Sequence, residues 1–259
     1  MQRAYALVAT PRPWLRGEAR YEDGAIILTK PEEYQPYAEK GLVDALSQVR
    51  KPADAVAFAR RFGLLRRGPG STELREPYSQ WEQEVSTLNA LLRLYVVLQA
   101  ALTDDAPARR QRAIDELWEV WQPVFRSSFQ EEPETDEQLL LQASAALTWA
   151  INDGLGDTRE AVGIVHTADG VPQAGYFAFF AQPPHLLGYA YHELAMRVVS
   201  RAPMRYCEEC GRSFLVVDQR QRYCGKSCAN RARYKRWAAK RRQGSLTTGD
   251  DQTDDQANE

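Results

Sequence analysis

No cysteine occurs before residue 207, and all four in the chain lie between Cys207 and Cys228. That excludes a disulfide framework or a cysteine nucleophile from most of the chain. Histidine is scarce as well: His166, His185 and His192 are the only three. His192-Glu193-Leu194-Ala195-Met196 opens like a zinc-protease helix, but Met196 stands where the second ligand belongs, so His192 and Glu193 read as a packed or surface pair. Gly68-Pro69-Gly70-Ser71-Thr72 lacks the Gly-Lys-Ser/Thr that would reach a nucleotide phosphate. The acid pairs Asp104-Asp105 and Glu131-Glu132 lie close to prolines and suit helix starts better than acid–base work. No pattern argues for an enzyme. The most apolar stretch, residues 88–102, is interrupted by Asn89, Arg93 and Gln99 and is too short to span a bilayer. Pro11 and Pro13 interrupt the N-terminal segment before a secretory apolar core can form. A cytoplasmic protein with no membrane partner is the expectation.

What the chain does have is ordinary globular composition, with 44% hydrophobic and 26% charged residues over 259 positions. That length suits one large or two ordinary domains. The net charge of −2 conceals a strong asymmetry. Residues 201–243 hold thirteen Lys/Arg against three Asp/Glu, a charge of +10. Residues 244–259 carry −5 and residues 1–200 carry −7. The chain therefore reads as an acidic body, a basic segment and an acidic tail.

Periodicity predicts an α+β body that is mainly helical. Ala19-Arg20-Tyr21 and Ala25-Ile26-Ile27-Leu28 flank Glu22-Asp23-Gly24, a hairpin turn signal. Residues 4–10 read as a strand, and residues 41–50 and 53–62 as short helices split by Pro52. Residues 88–102 form a helix on the spacing of Leu88, Leu91, Leu92, Tyr95 and Val96. Pro107 sits early in the next helix, whose stripe is Ile114, Leu117, Trp118, Trp121 and Phe125, a core pattern. A third long helix opens at Glu134-Thr135-Asp136, carries Leu140, Leu147 and Ile151, and closes near Gly154. Residues 162–166 and 176–180 read as strands, and 185–200 as a helix. The domains expected are a body over 1–200, a small zinc finger over 201–243 and a polar, disordered acidic tail over 244–259.

The cysteines carry the sharpest signal. Cys207 and Cys210 form a C-x2-C pair, and Cys224 and Cys228 a C-x3-C pair thirteen residues on. Two such pairs supply four thiolates to one tetrahedral Zn2+ at about 2.3 Å each, a closed structural site with no water position. Zinc with four thiolates brings −2, so the module stays near +8, a strong basic patch. Gly211 suits the tight turn of a zinc knuckle. Residues 213–217 and 221–223 read as a hairpin around Asp218-Gln219-Arg220. Ser227 reads as the N-cap of a helix over 228–242. Knuckle, hairpin and helix follow in treble-clef order.

Over residues 205–242 the chain resembles the CGNR-type zinc fingers of bacterial regulators, on the C-x2-C knuckle and on Cys228-Ala229-Asn230-Arg231. Ala229 stands where that family has Gly, a mild change inside a helix. The family's usual N-terminal Leu-Asp-Phe-Val-Asn-like run is absent; the nearest local likeness is residues 53–65, ending in Phe62-Gly63-Leu64-Leu65. The resemblance implies a DNA-binding transcription regulator. The residues add their own argument. On the last helix Arg231, Lys235 and Arg242 share one stripe, Arg233, Arg236 and Lys240 a second, and Tyr234 with Trp237 a third. With Arg241, these seven cations are the expected nucleic-acid contacts, DNA first, and an aromatic is placed to stack on a base or sugar. In the alternative Tyr234 and Trp237 pack on the zinc hairpin or the body and the cations are a solvated face. Two other readings stand beside the regulator: a structural or interaction protein whose finger docks on its own body or an acidic partner, and an enzyme body delivered to nucleic acid by the finger. A homodimer through the body, or a ligand bound by it, fits the first reading.

Overall fold

The computed structural model describes residues 14–34, 41–68, 71–125, 132–156, 158–166, 172–218 and 220–246, without the side chains of 121–125, 159–180 and 242–246. The strand expected over 4–10, most of the acidic tail, Glu131 and the side chains of His166, Trp121, Phe125 and Arg242 lie outside what is described. The fold is α+β and mainly α, with short antiparallel strand pairs. Chain contacts divide it into two units, Met1–Ala202 and Pro203–Glu259.

The first unit opens with strands β1 (Trp14–Glu22) and β2 (Ala25–Tyr34). Asp23 and Gly24 turn between them, both at positive φ, as a two-residue hairpin matched to strand twist requires. The strands run longer than the sequence pattern suggested, through a bulge between Gly17 and Glu18. A Cβ at Gly17 would meet the Lys30 carbonyl at 2.4 Å, so only glycine fits there. Helix α1 (Leu42–Leu46) is shorter than expected, and α2 (Pro52–Phe62) takes Pro52 in its first turn. Strand β3 (Arg75–Pro77), too short to show a pattern, adds to β2.

Helix α3 (Tyr78–Thr103) begins ten residues before the expected Leu88, because Tyr78, Trp81 and Val85 continue the same buried stripe. By length and composition α3 is apolar enough to cross a membrane, yet over half of that window is buried inside the fold, as in a core helix. Helix α4 (Pro107–Phe125) packs on α3 through Ile114 and Leu117, while Trp118 is half-buried and donates to Asp136. Helix α5 (Asp136–Leu155) starts where predicted. Thr135 accepts from the Gln138 N–H, and the Gln138 side chain accepts from the Glu134 N–H. Strands β4 (Arg159–His166) and β5 (Pro172–Gln182) pair with each other. Helix α6 (Leu186–Val199) is capped by His185, whose Nδ1 accepts from the Gly188 N–H at 2.9 Å.

Two buried polar groups tie this unit together. Glu76 is fully buried and accepts from the Leu65 and Arg66 N–H groups at 2.9 and 2.7 Å. Arg197 pairs with both Asp44 oxygens at 2.8 Å and with Glu193 at 2.6 Å, and Glu193 also accepts from the Val43 N–H. That network fastens α1 to α6, and half-buried His192 is held below its usual value by burial. The His192–Glu193 pair is therefore packed, as the missing second ligand suggested. Between α3, α5 and the end of α6 lies an apolar cleft of about 420 Å³, walled by Leu98, Leu102, Leu147 and Val198.

In the second unit, strands β6 (Met204–Tyr206) and β7 (Ser213–Leu215) pair antiparallel across the Cys207–Cys210 turn. This corrects the expected hairpin. Residues 221–223 form no strand, because the cysteine turn itself reverses the chain and brings β6 alongside β7. Arg222 instead offers its carbonyl to the Glu208 N–H at 3.1 Å. Helix α7 (Lys226–Leu246) begins earlier than predicted. Gly225, not Ser227, precedes it and accepts the Ala229 N–H at 3.1 Å.

Candidate metal centre and basic helix

The knuckle is a backbone device. The Cys207 N–H donates to the Arg212 carbonyl and the Gly211 N–H to the Cys207 carbonyl, both at 2.8 Å, with Gly211 at φ 68°. This fold-back aims Cys207 and Cys210 at one point. Cys224 arrives from the loop before α7 and Cys228 from its first turn. All four Sγ atoms lie within 4.8 Å of one another. Cys210 and Cys224 are 3.7 Å apart, and Cys224 and Cys228 3.5 Å. Four sulfurs placed tetrahedrally at ~2.3 Å from an ion would sit about 3.8 Å apart. A disulfide needs ~2.05 Å, and all four are free thiols. The set has the composition and spacing of a metal site.

The electrostatics agree. Burial works to raise the Cys207 thiol, but N–H donation from Cys224, Cys210 and Glu209 outweighs it and brings the group down to about 6. Cys210 and Cys224 shift up, first through burial and then through neighbouring thiols. Four crowded sulfurs cannot all ionise unaided; a divalent cation among them removes that conflict. Around the cluster the apolar core is small: Phe214 and Val216 with the cysteines, and Tyr223 against them. A core of that size does not hold a fold alone.

The seven cations expected on α7 divide. Arg231 Nη2 donates to Cys228 Sγ at 3.2 Å. Lys235 Nζ pairs with Glu209 Oε1 at 2.7 Å, the Glu209 side chain being 9% exposed. Both therefore face the knuckle. Arg236 donates to the Ala232 carbonyl of its own helix. The Arg241 guanidinium lies 5.0 Å from the centre of the Trp237 ring. Arg233 and Lys240 are exposed, with no ion-pair partner among the described residues. Tyr234 and Trp237 are 66% and 51% exposed, where the alternative had them packed inside. Sequence reasoning missed Glu208, which pairs with Arg222 at 2.5 Å, and Glu209. Their place between two ligating cysteines was the available signal.

The class these features define is an α+β protein carrying a C-terminal four-cysteine, metal-type module. Comparison with protein-family models, curated proteins and solved structures finds no match to this chain.

Proposed function

We propose that the cysteine cluster holds one structural Zn2+ and that the module it organises binds nucleic acid through α7, as the CGNR likeness implies. Zinc suits four thiolates at tetrahedral spacing, and Cys207, Cys210, Cys224 and Cys228 would hold it. A four-thiolate shell leaves no position for water, so the ion serves folding. The observation that carries the binding reading is the distribution of charge. Of the second unit's described acids, Glu208 pairs with Arg222 and Glu209 with Lys235, while Asp218 accepts only from the Arg220 N–H in its own turn. From Lys226 to Leu246 the helix has no acid. Arg233, Arg236, Lys240 and Arg241 are exposed and form no ion pair among the described residues, the footprint of a phosphate-binding surface.

The first unit supplies the control element in this reading. Its 420 Å³ cleft has the size and apolar lining of a small-molecule site. The reading is tested by titrating zinc-loaded full chain against duplex DNA, single-stranded DNA and RNA at several salt concentrations. It requires binding whose affinity falls linearly with the logarithm of salt. Absence of binding at low salt to any of the three would refute it.

A further inference from the structure

We propose that Tyr234 and Trp237 form a stacking platform for unpaired bases, so that the partner of α7 is a single-stranded nucleic acid. This narrows the nucleic-acid reading above and rests on it. The two rings are neighbours, 5.8 Å between centres with a 34° tilt. Arg241, one turn further along, lies over the indole at 5.0 Å. Positions i, i+3 and i+7 thus make one continuous row along the helix. Both rings are more than half exposed, on a stretch where nearly every side chain from Arg233 to Arg241 faces solvent.

The surroundings of that row identify the occupant. Arg233 and Lys240 lie on the side of the helix next to that row, with Arg236 further round, and the helix carries no acid to offset them. The partner is therefore a polyanion. A bilayer headgroup surface is anionic too, but it is held by apolar side chains that sink below the headgroups. Between Arg233 and Arg241 the helix offers only two alanines besides the aromatics. A duplex presents phosphates while its base faces stay stacked inside, so an exposed Tyr–Trp row gains little there. A single strand presents both features together: phosphates along the backbone and base faces turned outward for aromatics. The roles then separate. Arg231 and Lys235 hold α7 to the knuckle, Arg233, Arg236 and Lys240 meet phosphates, and Tyr234 and Trp237 meet bases. Every base has a π-face, so little sequence preference is expected.

The test uses zinc-loaded full chain and fluorescein-labelled probes of about 15 residues: oligo-dT, oligo-rU, an abasic oligomer with the same phosphates, and a blunt duplex hairpin. Oligo-dT and oligo-rU should bind more tightly than the abasic strand. Their ratio separates DNA from RNA as the source of the same chemistry. Trp237→Ala and Tyr234→Ala should each lose roughly tenfold or more on oligo-dT and nothing on the abasic strand, with the salt slope unchanged. Trp237→Phe, which keeps a stacking face, should retain most of the affinity. Zinc content and far-ultraviolet circular dichroism confirm that each variant is folded. Equal affinity for abasic strand and oligo-dT would overturn the proposal. So would an equal loss by Trp237→Ala on duplex and on oligo-dT, or equal competition by charge-matched poly-glutamate, which would indicate an acidic protein instead. Binding to oligo-dT that Trp237→Ala and Tyr234→Ala both leave unchanged sinks this proposal and leaves the broader reading standing. No binding to any probe sinks both.

Discussion

In the proposed reading Arg231 serves the cysteine cluster and not the nucleic-acid surface. Its guanidinium sits 3.2 Å from Cys228 Sγ, and the sulfur holds the Arg231 charge above its usual range. Four thiolates around Zn2+ leave a net −2, and Arg231 offsets one of those charges at a defined atom. Outer contacts of this kind, when removed, cost about 10- to 100-fold in metal affinity. Arg231→Ala should therefore weaken zinc binding by that factor. Arg231→Lys, which keeps the charge and loses the planar fork, should fall between. The assay is competition for zinc between the full chain and a chromophoric chelator at fixed pH. A parallel titration with nucleic acid at saturating zinc should show Arg231→Ala near wild type. Lys240→Ala, with no contact to the cluster, should give the reverse pattern. Unchanged zinc affinity, with a nucleic-acid defect as large as that of Lys240→Ala, would refute the assignment and return Arg231 to the interface.

Elemental analysis of reduced protein should find one zinc per chain, and chelation should abolish the β6–β7 pairing while the first unit keeps its cooperative unfolding, read by amide exchange. Arg233→Ala and Lys240→Ala should each lower the slope of log affinity against log salt by ~0.7–0.9, measured by fluorescence anisotropy. Glu76 supplies a pH test. Burial raises its carboxyl above the ordinary value, against the pull of the Arg66 and Leu65 N–H groups. The folded state thus binds this proton more tightly than the unfolded chain. The stability it contributes is full below the ordinary carboxylate range and is lost as pH rises through the raised value. Glu76→Gln keeps one acceptor, turns an amide NH2 toward the other N–H, and should cost about 1–2 kcal/mol at pH 7. It does not titrate, so its deficit in urea denaturation should widen as pH falls from 7 toward 5; a constant deficit would show that Glu76 is not the titrating group.

Elements whose stabilising pattern is local could be read from the chain. Asp23-Gly24 specifies its own turn, Thr135-Asp136 its own helix start, and the leucine spacing of α3 its own face. What escaped depends on partners distant in sequence. β6 is three residues long and exists because the knuckle folds it onto β7. β3 exists because β2 leaves an edge for it. The fully buried Glu76 looks like any surface acid until the N–H groups of Leu65 and Arg66 are brought to it. The four cysteines were legible because metal-ligand spacing is itself a local code. Their outer partners were not, since Glu209 and Lys235 meet only once α7 lies along the knuckle.

The same distinction governs the charge of the second unit. A count along the sequence treats its cations as equivalent, but the two acids that neutralise some of them, Glu208 and Glu209, sit in the knuckle. On α7, Lys235 with Glu209 is the one ion pair among the described residues. Beyond it, Arg236 and Lys240 stand four residues apart on an acid-free helix, a like-charge spacing that costs a helix about 0.2–0.5 kcal/mol per pair. A helix that buries as little as Cys228 and Ala232 gains little from packing, and this one also repels itself. Its own interactions hold it weakly: the Trp237–Arg241 contact, the Tyr234–Trp237 rings and the hydrogen bond from Arg236 to the Ala232 carbonyl. In the proposed reading, an anionic strand laid along α7 would offset that repulsion with attractions of its own, so binding and helix stability should rise together.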